Sequence, residues 1–96
     1  MSSYFIAQIK IKDWDEYENY LRGFDQVFRQ YKGKVVAVDD HPTVLEGEWP
    51  YTRMVIIRFP NEKETLRWYR SPEYQALIKH RLNASQANTI LVQGRI

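Results

Sequence analysis

Apolar and polar side chains alternate over residues 4–12, near the start of the chain. A period of two places one set of side chains on each face of an extended backbone, so the pattern predicts a β-strand. The same reasoning predicts strands over residues 35–40, 53–59 and 89–93, and a shorter extended segment over residues 43–48. The chain is therefore expected to contain four main strands and a minor one.

Between the first two strands, apolar residues recur at steps of three and four, which is typical of one face of an amphipathic helix. Asp13, with Glu16 three residues later, matches the pattern that caps a helix N-terminus. Gly33 is predicted to end the helix by adopting the left-handed conformation. The apolar stripe is unusually aromatic and consists of Trp14, Tyr17, Leu21, Phe24, Phe28 and Tyr31.

A second helix is predicted after the third main strand, and it is interrupted. Asn61 with Glu64 repeats the capping pattern at its start. Ser71 then supplies a new cap, with Pro72 at the first helical position and Glu73 in the first turn. Helical spacing continues through Tyr74, Leu77, Ile78, Arg81 and Leu82.

The resulting order, β-α-β-β-α-β, predicts a single α+β domain over residues 1–96 with a ferredoxin-like, antiparallel four-stranded sheet. Helices cover one face of such a sheet, and the other face is polar in a monomer. In the third strand both alternating sets are apolar: Met54 and Ile56 on one side, and Val55, Ile57 and Phe59 on the other. We therefore expect the sheet of a second copy to cover this face, giving a homodimeric α/β barrel.

The composition excludes several classes of function. The net charge is +2 with no block of like charges, which argues against nucleic-acid or membrane partners. The chain has no cysteine, and neither His41 nor His80 stands at metal-ligand spacing, so no metal site is predicted. Glycine-rich phosphate loops and dinucleotide motifs are absent, so no cofactor is predicted. No apolar run approaches a membrane span of roughly 18 residues, and we expect a soluble cytoplasmic protein.

Two blocks of the sequence resemble those of a known family. The blocks are Leu45-Glu46-Gly47-Glu48-Trp49 and Trp68-Tyr69-x-Ser71-Pro72-Glu73-Tyr74-Gln75. With the closing Leu91-Val92-x-Gly94, they make the chain similar to the bacterial domain-of-unknown-function family numbered thirteen-thirty over nearly its whole length. The resemblance implies a dimeric α/β barrel in which two ferredoxin-like sheets pack face to face. The family has no settled activity, so the resemblance assigns no catalytic residue.

The wider barrel superfamily includes cofactor-free monooxygenases and haem-degrading monooxygenases. Haem-degrading members carry Trp-x-x-Ser-x-x-Phe on this helix, and Trp68, Ser71 and Tyr74 fit that frame. The axial histidine of the motif would fall on Ile78, whereas His80 stands about 200° around the helix. The comparison therefore disfavours a haem site.

Four residues are candidates for acid–base catalysis, namely Glu46, Tyr69, Tyr74 and His80. Glu46 is a candidate general base if it is partly buried near aromatic rings, because a desolvated carboxylate accepts a proton more readily than a solvated one. Glu46 is explained equally well as a solvated charge that protects a sheet edge. The candidates for ligand binding are Arg58, Trp49, Trp68, Ser71 and Arg81.

Arg58 alternates onto the face of Met54 and Ile56. If that face lines the barrel, Arg58 is a fixed cation suited to a carboxylate or enolate; otherwise it reaches solvent or bridges to an acid across the dimer. Tyr74 and Arg81 are seven residues apart and so share one helical face. The backbone amides at the Ser71 cap suit an anion, although a simple helix start explains the same residues.

Two classes of function stay open. The first is a cofactor-independent enzyme that performs proton transfer or monooxygenation on a small organic molecule in the barrel pocket. The alternative is a noncatalytic dimeric module that binds a small ligand or serves a structural role. RNA recognition on the sheet is excluded, because the third strand lacks the aromatic residues on which bases stack.

Overall fold

The computed structural model describes residues 1–95 of the chain. Its elements follow the predicted β-α-β-β-α-β order, with the second helix in two parts, so the ferredoxin-like prediction is confirmed. They are β1 (Ser3–Ile11), α1 (Trp14–Phe28), β2 (Lys34–Asp39), β3 (Arg53–Phe59), α2 (Glu62–Tyr69), α3 (Pro72–Ala84) and β4 (Ser85–Gln93).

The four strands form one sheet in the order β2-β3-β1-β4. Every neighbouring pair is antiparallel, so β1 and β3 are central strands and β2 and β4 are edge strands. Among residues 1–95, no helix combines the length and the apolar character that crossing a membrane requires.

Two strand predictions differ from the structure. The minor strand expected over residues 43–48 is wrong, because this part of the β2–β3 loop pairs with no other strand and leaves Leu45 89% exposed. β4 is longer than expected and begins at Ser85, directly after α3. Its first half carries polar residues that hide the strand in the sequence, yet Ser85 and Asn88 pair in register with β1.

The three predicted helix caps are confirmed. Asp13, Asn61 and Ser71 each accept a hydrogen bond from the backbone N–H three residues later, at 3.1, 2.9 and 3.1 Å. The predicted helix stop at Gly33 is wrong, because α1 ends at Phe28 and Gly33 does not have positive φ.

Gly33 has a packing role instead of a role in ending the helix. A Cβ atom at this position would lie 2.6 Å from ring carbons of both Phe28 and Phe59. The chain therefore approaches the core too closely at this point for any side chain.

The helices pack on one face of the sheet and enclose the aromatic core. Phe5 lies opposite Ile57 on one side and Leu91 on the other, so these side chains share the helix-covered face. Trp68 is fully buried and packs edge-on against Phe5, with ring centroids 5.1 Å apart. Aromatic pairs of this geometry add to the stabilisation that burial provides.

The opposite face of the sheet is apolar as well, as the sequence predicts. Ile6 lies opposite Ile56 and Ile90, and Gln8 lies opposite Met54. Ile90 is 56% exposed within the single chain. A contiguous apolar patch of this kind is uncommon on a monomer and is typical of an interaction surface.

Candidate functional site

A cavity of about 270 Å³ lies between α1 and the helix-covered face of the sheet. Its mouth opens between α1 and β2, where Leu21 is 41% exposed and Val38 is 54% exposed. Asp25 stands at the same mouth and is exposed. The floor is apolar and consists of Phe5, Ala7, Ile9, Val55 and Ile57.

A β-bulge in β2 shapes the mouth. Val35 pairs with Ile57 and Val38 pairs with Val55, with a register shift between them. In a regular strand, residues three apart point to opposite faces, but the extra residue at Val36 turns both side chains to the cavity.

Tyr20 and Tyr74 form a hydrogen-bonded hydroxyl pair beside the cavity. Their oxygens are 2.6 Å apart, and the bond joins α1 to α3 inside the core. Burial, together with the neighbouring Tyr74, raises the pKa of Tyr20 well above its usual range, and burial also raises the pKa of Tyr74. Both hydroxyls are therefore neutral donors near pH 7. The pair has two hydroxyl protons and their mutual hydrogen bond uses one of them, and of the two tyrosines Tyr20 lines the cavity.

Arg81 brings a buried positive charge to the same cavity. The residue is 3% exposed, and its guanidinium carbon lies 5.7 Å from the ring centroid of Tyr20. Within residues 1–95, no carboxylate side chain lies at ion-pair distance from it. A guanidinium keeps its charge at all ordinary pH values, and an unpaired buried charge is costly. The cavity therefore contains a fixed cation that no carboxylate of the described residues pairs with directly.

Arg53, the second arginine at the cavity, is neutralised. Its Nε and one Nη atom donate to the two carboxylate oxygens of Asp40 at 2.6 and 3.1 Å. The hydrogen bond from Arg53 also lowers the pKa of Asp40. The guanidinium lies 5.4 Å from the ring centroids of both Trp14 and Tyr17. Its position is therefore fixed, and its charge is compensated.

The structure brings together two of the residues singled out from sequence, Tyr74 and Arg81. They share the face of α3 that points to Tyr20. Ser71 is close in sequence, but its hydroxyl is used locally: it donates to the carbonyl of Trp68 at 2.8 Å and accepts from the amide of Tyr74. Trp68 is a core residue whose Nε1 has no partner among residues 1–95.

The other predicted residues lie apart from the cavity. Glu46 is exposed in the β2–β3 loop, and Trp49 stacks edge-on against Tyr51 in the same loop. Tyr69 lines a separate groove between α2 and β4.

His80 and Arg58 are each directed elsewhere. His80 Nδ1 lies 2.8 Å from an oxygen of Glu16, which links α3 to the start of α1. Arg58 is exposed on the helix-free face of the sheet, in register with Tyr4 and Lys34. The cavity lies on the helix-covered face, so Arg58 cannot supply its cation.

Sequence reasoning missed four polar residues of the cavity: Tyr17, Tyr20, Asp25 and Arg53. The two tyrosines are three residues apart on α1, and Tyr20 was left out of the predicted stripe altogether. A tyrosine on a buried helical face needs a partner for its hydroxyl, and this requirement was the available signal. Arg53 stands at the first position of the predicted third strand, and only its packing against Trp14 and Tyr17 places it at the cavity.

The described residues contain no group of three or more His, Cys, Asp or Glu side chains placed to hold a metal ion. The model of the family called "Domain of unknown function (DUF1330)" matches residues 2–95. The chain belongs to the DUF1330 family. The resemblance found in the sequence is thereby confirmed, and no curated protein is detectably similar to this DUF1330 chain.

Several solved structures share the fold. RPA0582 from Rhodopseudomonas palustris, a protein of unknown function, has a TM-score of 0.80 at 19% identity, covering 99% of this chain and 83% of its own. SnoaB from Streptomyces nogalater, described as a cofactor-independent oxygenase, has a TM-score of 0.67 at 15% identity, covering 99% and 94%. A dimeric ferredoxin-like protein of unknown function from Jannaschia sp. CCS1 has a TM-score of 0.76 at 9% identity, covering 98% and 100%. At these identities the similarity establishes the fold alone.

Proposed function

We propose that this protein is a cofactor-independent enzyme that binds a small organic molecule between α1 and the sheet and moves a proton on it. The observation that carries the proposal is that Tyr20 and Arg81 line one cavity of about 270 Å³, with Tyr74 hydrogen-bonded to the Tyr20 hydroxyl. A largely apolar cavity with a few convergent polar groups is the usual form of a small-molecule site.

The three side chains suit a reaction in which negative charge develops on a substrate oxygen. Removal of a proton from carbon next to a carbonyl leaves an enolate, and the electron pair of the broken C–H bond moves to the oxygen. The free O–H of the Tyr20–Tyr74 pair donates to that oxygen, and Arg81 stabilises its charge. Asp25, at the mouth, is the carboxylate that lines the cavity and is the proposed proton acceptor.

Cofactor-independent oxygenation is the second reaction within the same proposal. It begins with the same loss of a proton, and the deprotonated substrate then supplies the electrons that O₂ accepts. SnoaB, which has the same fold, is described as a cofactor-independent oxygenase. This likeness supports the reaction class by analogy of fold.

A noncatalytic binding module is the alternative function. One observation favours it: Asp25, the acid that lines the cavity, is exposed at the mouth rather than buried beside Tyr20. A solvated carboxylate is a weaker base than a desolvated one. Such a protein would bind the same ligands without turning them over.

We also propose that two copies pair through the helix-free face of the sheet. That face presents Ile6, Ile56 and Ile90 to the outside, and the related Jannaschia protein is described as dimeric. Burial of apolar area is the main driving force of stable association.

The experiment that tests the function combines binding with proton exchange. A panel of small cyclic and aromatic ketones and carboxylic acids is screened by thermal shift, because bound ligand raises the unfolding temperature. Each ligand that binds is then incubated in D₂O, and NMR follows deuterium uptake next to the carbonyl. Tyr20→Phe is the test variant, and Tyr4→Phe, on the other face of the sheet, is the control.

Enzyme-dependent exchange that falls about 10²- to 10³-fold in Tyr20→Phe supports catalysis, since this is the usual contribution of one hydrogen-bond donor to a developing oxyanion. Binding without exchange supports the noncatalytic module. A panel that produces no stabilisation at all overturns both forms of the proposal.

A further inference from the structure

We infer that the cavity selects organic monoanions: an apolar body that carries one carboxylate or one ionised enol oxygen. The inference rests on the proposed function, because it names the ligand class of the same site. It concerns the charge of the ligand, and it holds whether or not the bound molecule reacts.

Arg81 carries a buried positive charge that has no carboxylate partner among residues 1–95. The side chain is almost wholly buried, it lines the cavity, and none of the ion pairs formed within residues 1–95 includes it. The aromatic ring of Tyr20 partly stabilises the guanidinium, at 5.7 Å from its carbon to the ring centroid. A ring does not replace a carboxylate, so the cavity favours a ligand that brings its own negative charge.

The charged side chains around the cavity favour a ligand with a single negative charge. Arg53 also faces the cavity, but both oxygens of Asp40 already hold its guanidinium. One unpaired cation therefore remains. Asp25 adds a negative charge at the mouth and disfavours a ligand with a second anionic group near the entrance.

Polar groups are distributed unevenly along the cavity. The floor is apolar and the mouth combines the apolar Leu21 and Val38 with the carboxylate of Asp25, whereas Tyr20 and Arg81 stand together. A ligand that fits this arrangement has its charge at one end. The available hydroxyl of the tyrosine pair then donates to the same anionic group that Arg81 binds.

Calorimetric titration with paired ligands tests the inference. The probes are benzoate, phenylacetate, cyclohexanecarboxylate and hexanoate, each compared with its neutral amide, and phthalate as a dianion. We expect at least one carboxylate to bind about 10-fold or more tightly than its amide and than phthalate, as a charge-assisted hydrogen bond implies. Arg81→Met should weaken that carboxylate about 10- to 100-fold and leave the amide within about 3-fold.

Arg22→Met is the matched control, because it removes the same charge from an exposed position of α1 that neither lines the cavity nor lies on the proposed dimer face. It should leave carboxylate binding unchanged. If Arg81→Met does not fold, Arg81→Lys keeps the charge, and the wild-type preference for acid over amide still decides the matter.

Two results would overturn the inference: amides that bind as well as their acids, or no carboxylate that binds at millimolar concentration. The outcome is separate from that of the proton-exchange experiment. Exchange on a neutral ketone together with equal binding of acid and amide would support the proposed enzyme and contradict the preference for monoanions. Selective carboxylate binding without exchange would support the preference for monoanions and contradict the proposed enzyme.

Discussion

The hydroxyl oxygens of Tyr20 and Tyr74 lie 2.6 Å apart and join α1 to α3 at the edge of the cavity. The two residues are 54 positions apart in the chain, and both rings are almost fully buried. Each hydroxyl satisfies the other, so removal of either leaves a buried polar group without its partner. This bond is therefore a structural link between the helices, and Tyr20 also lines the cavity.

Tyr20→Phe and Tyr74→Phe should each lower the free energy of unfolding by about 1–3 kcal/mol, the cost of an unsatisfied buried hydroxyl. The double variant should lose less than the sum of the two, because it leaves no orphaned group. Urea unfolding of all four proteins measures the coupling. Tyr4→Phe should stay within about 0.5 kcal/mol of wild type. Strict additivity would mean that the two hydroxyls do not interact in solution.

The tyrosine pair should also make the protein sensitive to alkali. The pKa values of Tyr20 and Tyr74 are raised in the folded state, mainly by burial, so the unfolded chain loses these protons first as pH rises. Their contribution is complete below about pH 10, the pKa of an unfolded tyrosine, and falls as pH rises above it. Thermal unfolding at pH 9 to 11.5 should show this decline, and the Tyr20→Phe/Tyr74→Phe variant should show a shallower one. An identical slope in both proteins would contradict the assignment.

Asp40→Asn should change the charge preference of the cavity. Without the carboxylate, Arg53 becomes a second uncompensated cation, so phthalate should gain affinity relative to benzoate. The variant should also lose about 1–2 kcal/mol of stability, because the charge-assisted hydrogen bonds to Arg53 are weakened. The loss stays modest because Asp40 is 39% exposed and water screens the ion pair. Titration with both acids measures the change. Asp39→Asn, whose side chain accepts from the backbone of His41, is the control for charge alone.

Ile56→Asp should abolish the proposed homodimer and yield monomer or insoluble protein. Ile56 lies on the helix-free face between Ile6 and Ala37, where a carboxylate would be buried against the second sheet. Light scattering coupled to size exclusion measures the mass, and Met54→Asp repeats the test on the same face. Leu82→Asp, an exposed position on α3, should not alter the mass. An unchanged dimer in Ile56→Asp would place the interface elsewhere.

Gly33→Ala should destabilise the fold more than Gly23→Ala. A methyl group at Gly33 would lie 2.6 Å from rings of Phe28 and Phe59 in the core, and such overpacking costs about 1–3 kcal/mol. At Gly23 the close neighbour is the flexible end of Leu77, 2.5 Å away, and alanine improves helix propensity. Urea denaturation should therefore place Gly23→Ala within about 1 kcal/mol of wild type. Equal losses at both positions would show that Gly33 has room to adapt.

The order of the main elements and the three helix caps follow from local pattern, and the sequence predicted both correctly. Asp13, Asn61 and Ser71 cap helices because a side-chain oxygen three residues before a free amide is enough to satisfy it. The predictions from sequence were wrong where a residue or strand depends on contacts with residues distant in the chain. Polar residues of β4 form a strand because β1 lies beside them, and Gly33 is required by two rings of the core.

In the candidate site, too, the residues predicted from local pattern differ from those that only tertiary contacts bring together. Tyr74 and Arg81 were selected from their shared helical face, which a period of 3.6 residues determines. Tyr20 and Arg53 were missed, because only packing brings α1 and the start of β3 to α3. The bulge that turns Val35 and Val38 to one side likewise has no signal in the local pattern.

By itself, the amino-acid sequence determined the order of helices and strands, the family, and the presence of apolar residues on both faces of the sheet. These properties depend on residues near one another in the chain. Only the tertiary structure decided on which face the cavity lies, which arginine has a carboxylate partner and which has none, and which hydroxyls meet. These are distances between segments far apart in sequence, and they are determined when the core packs.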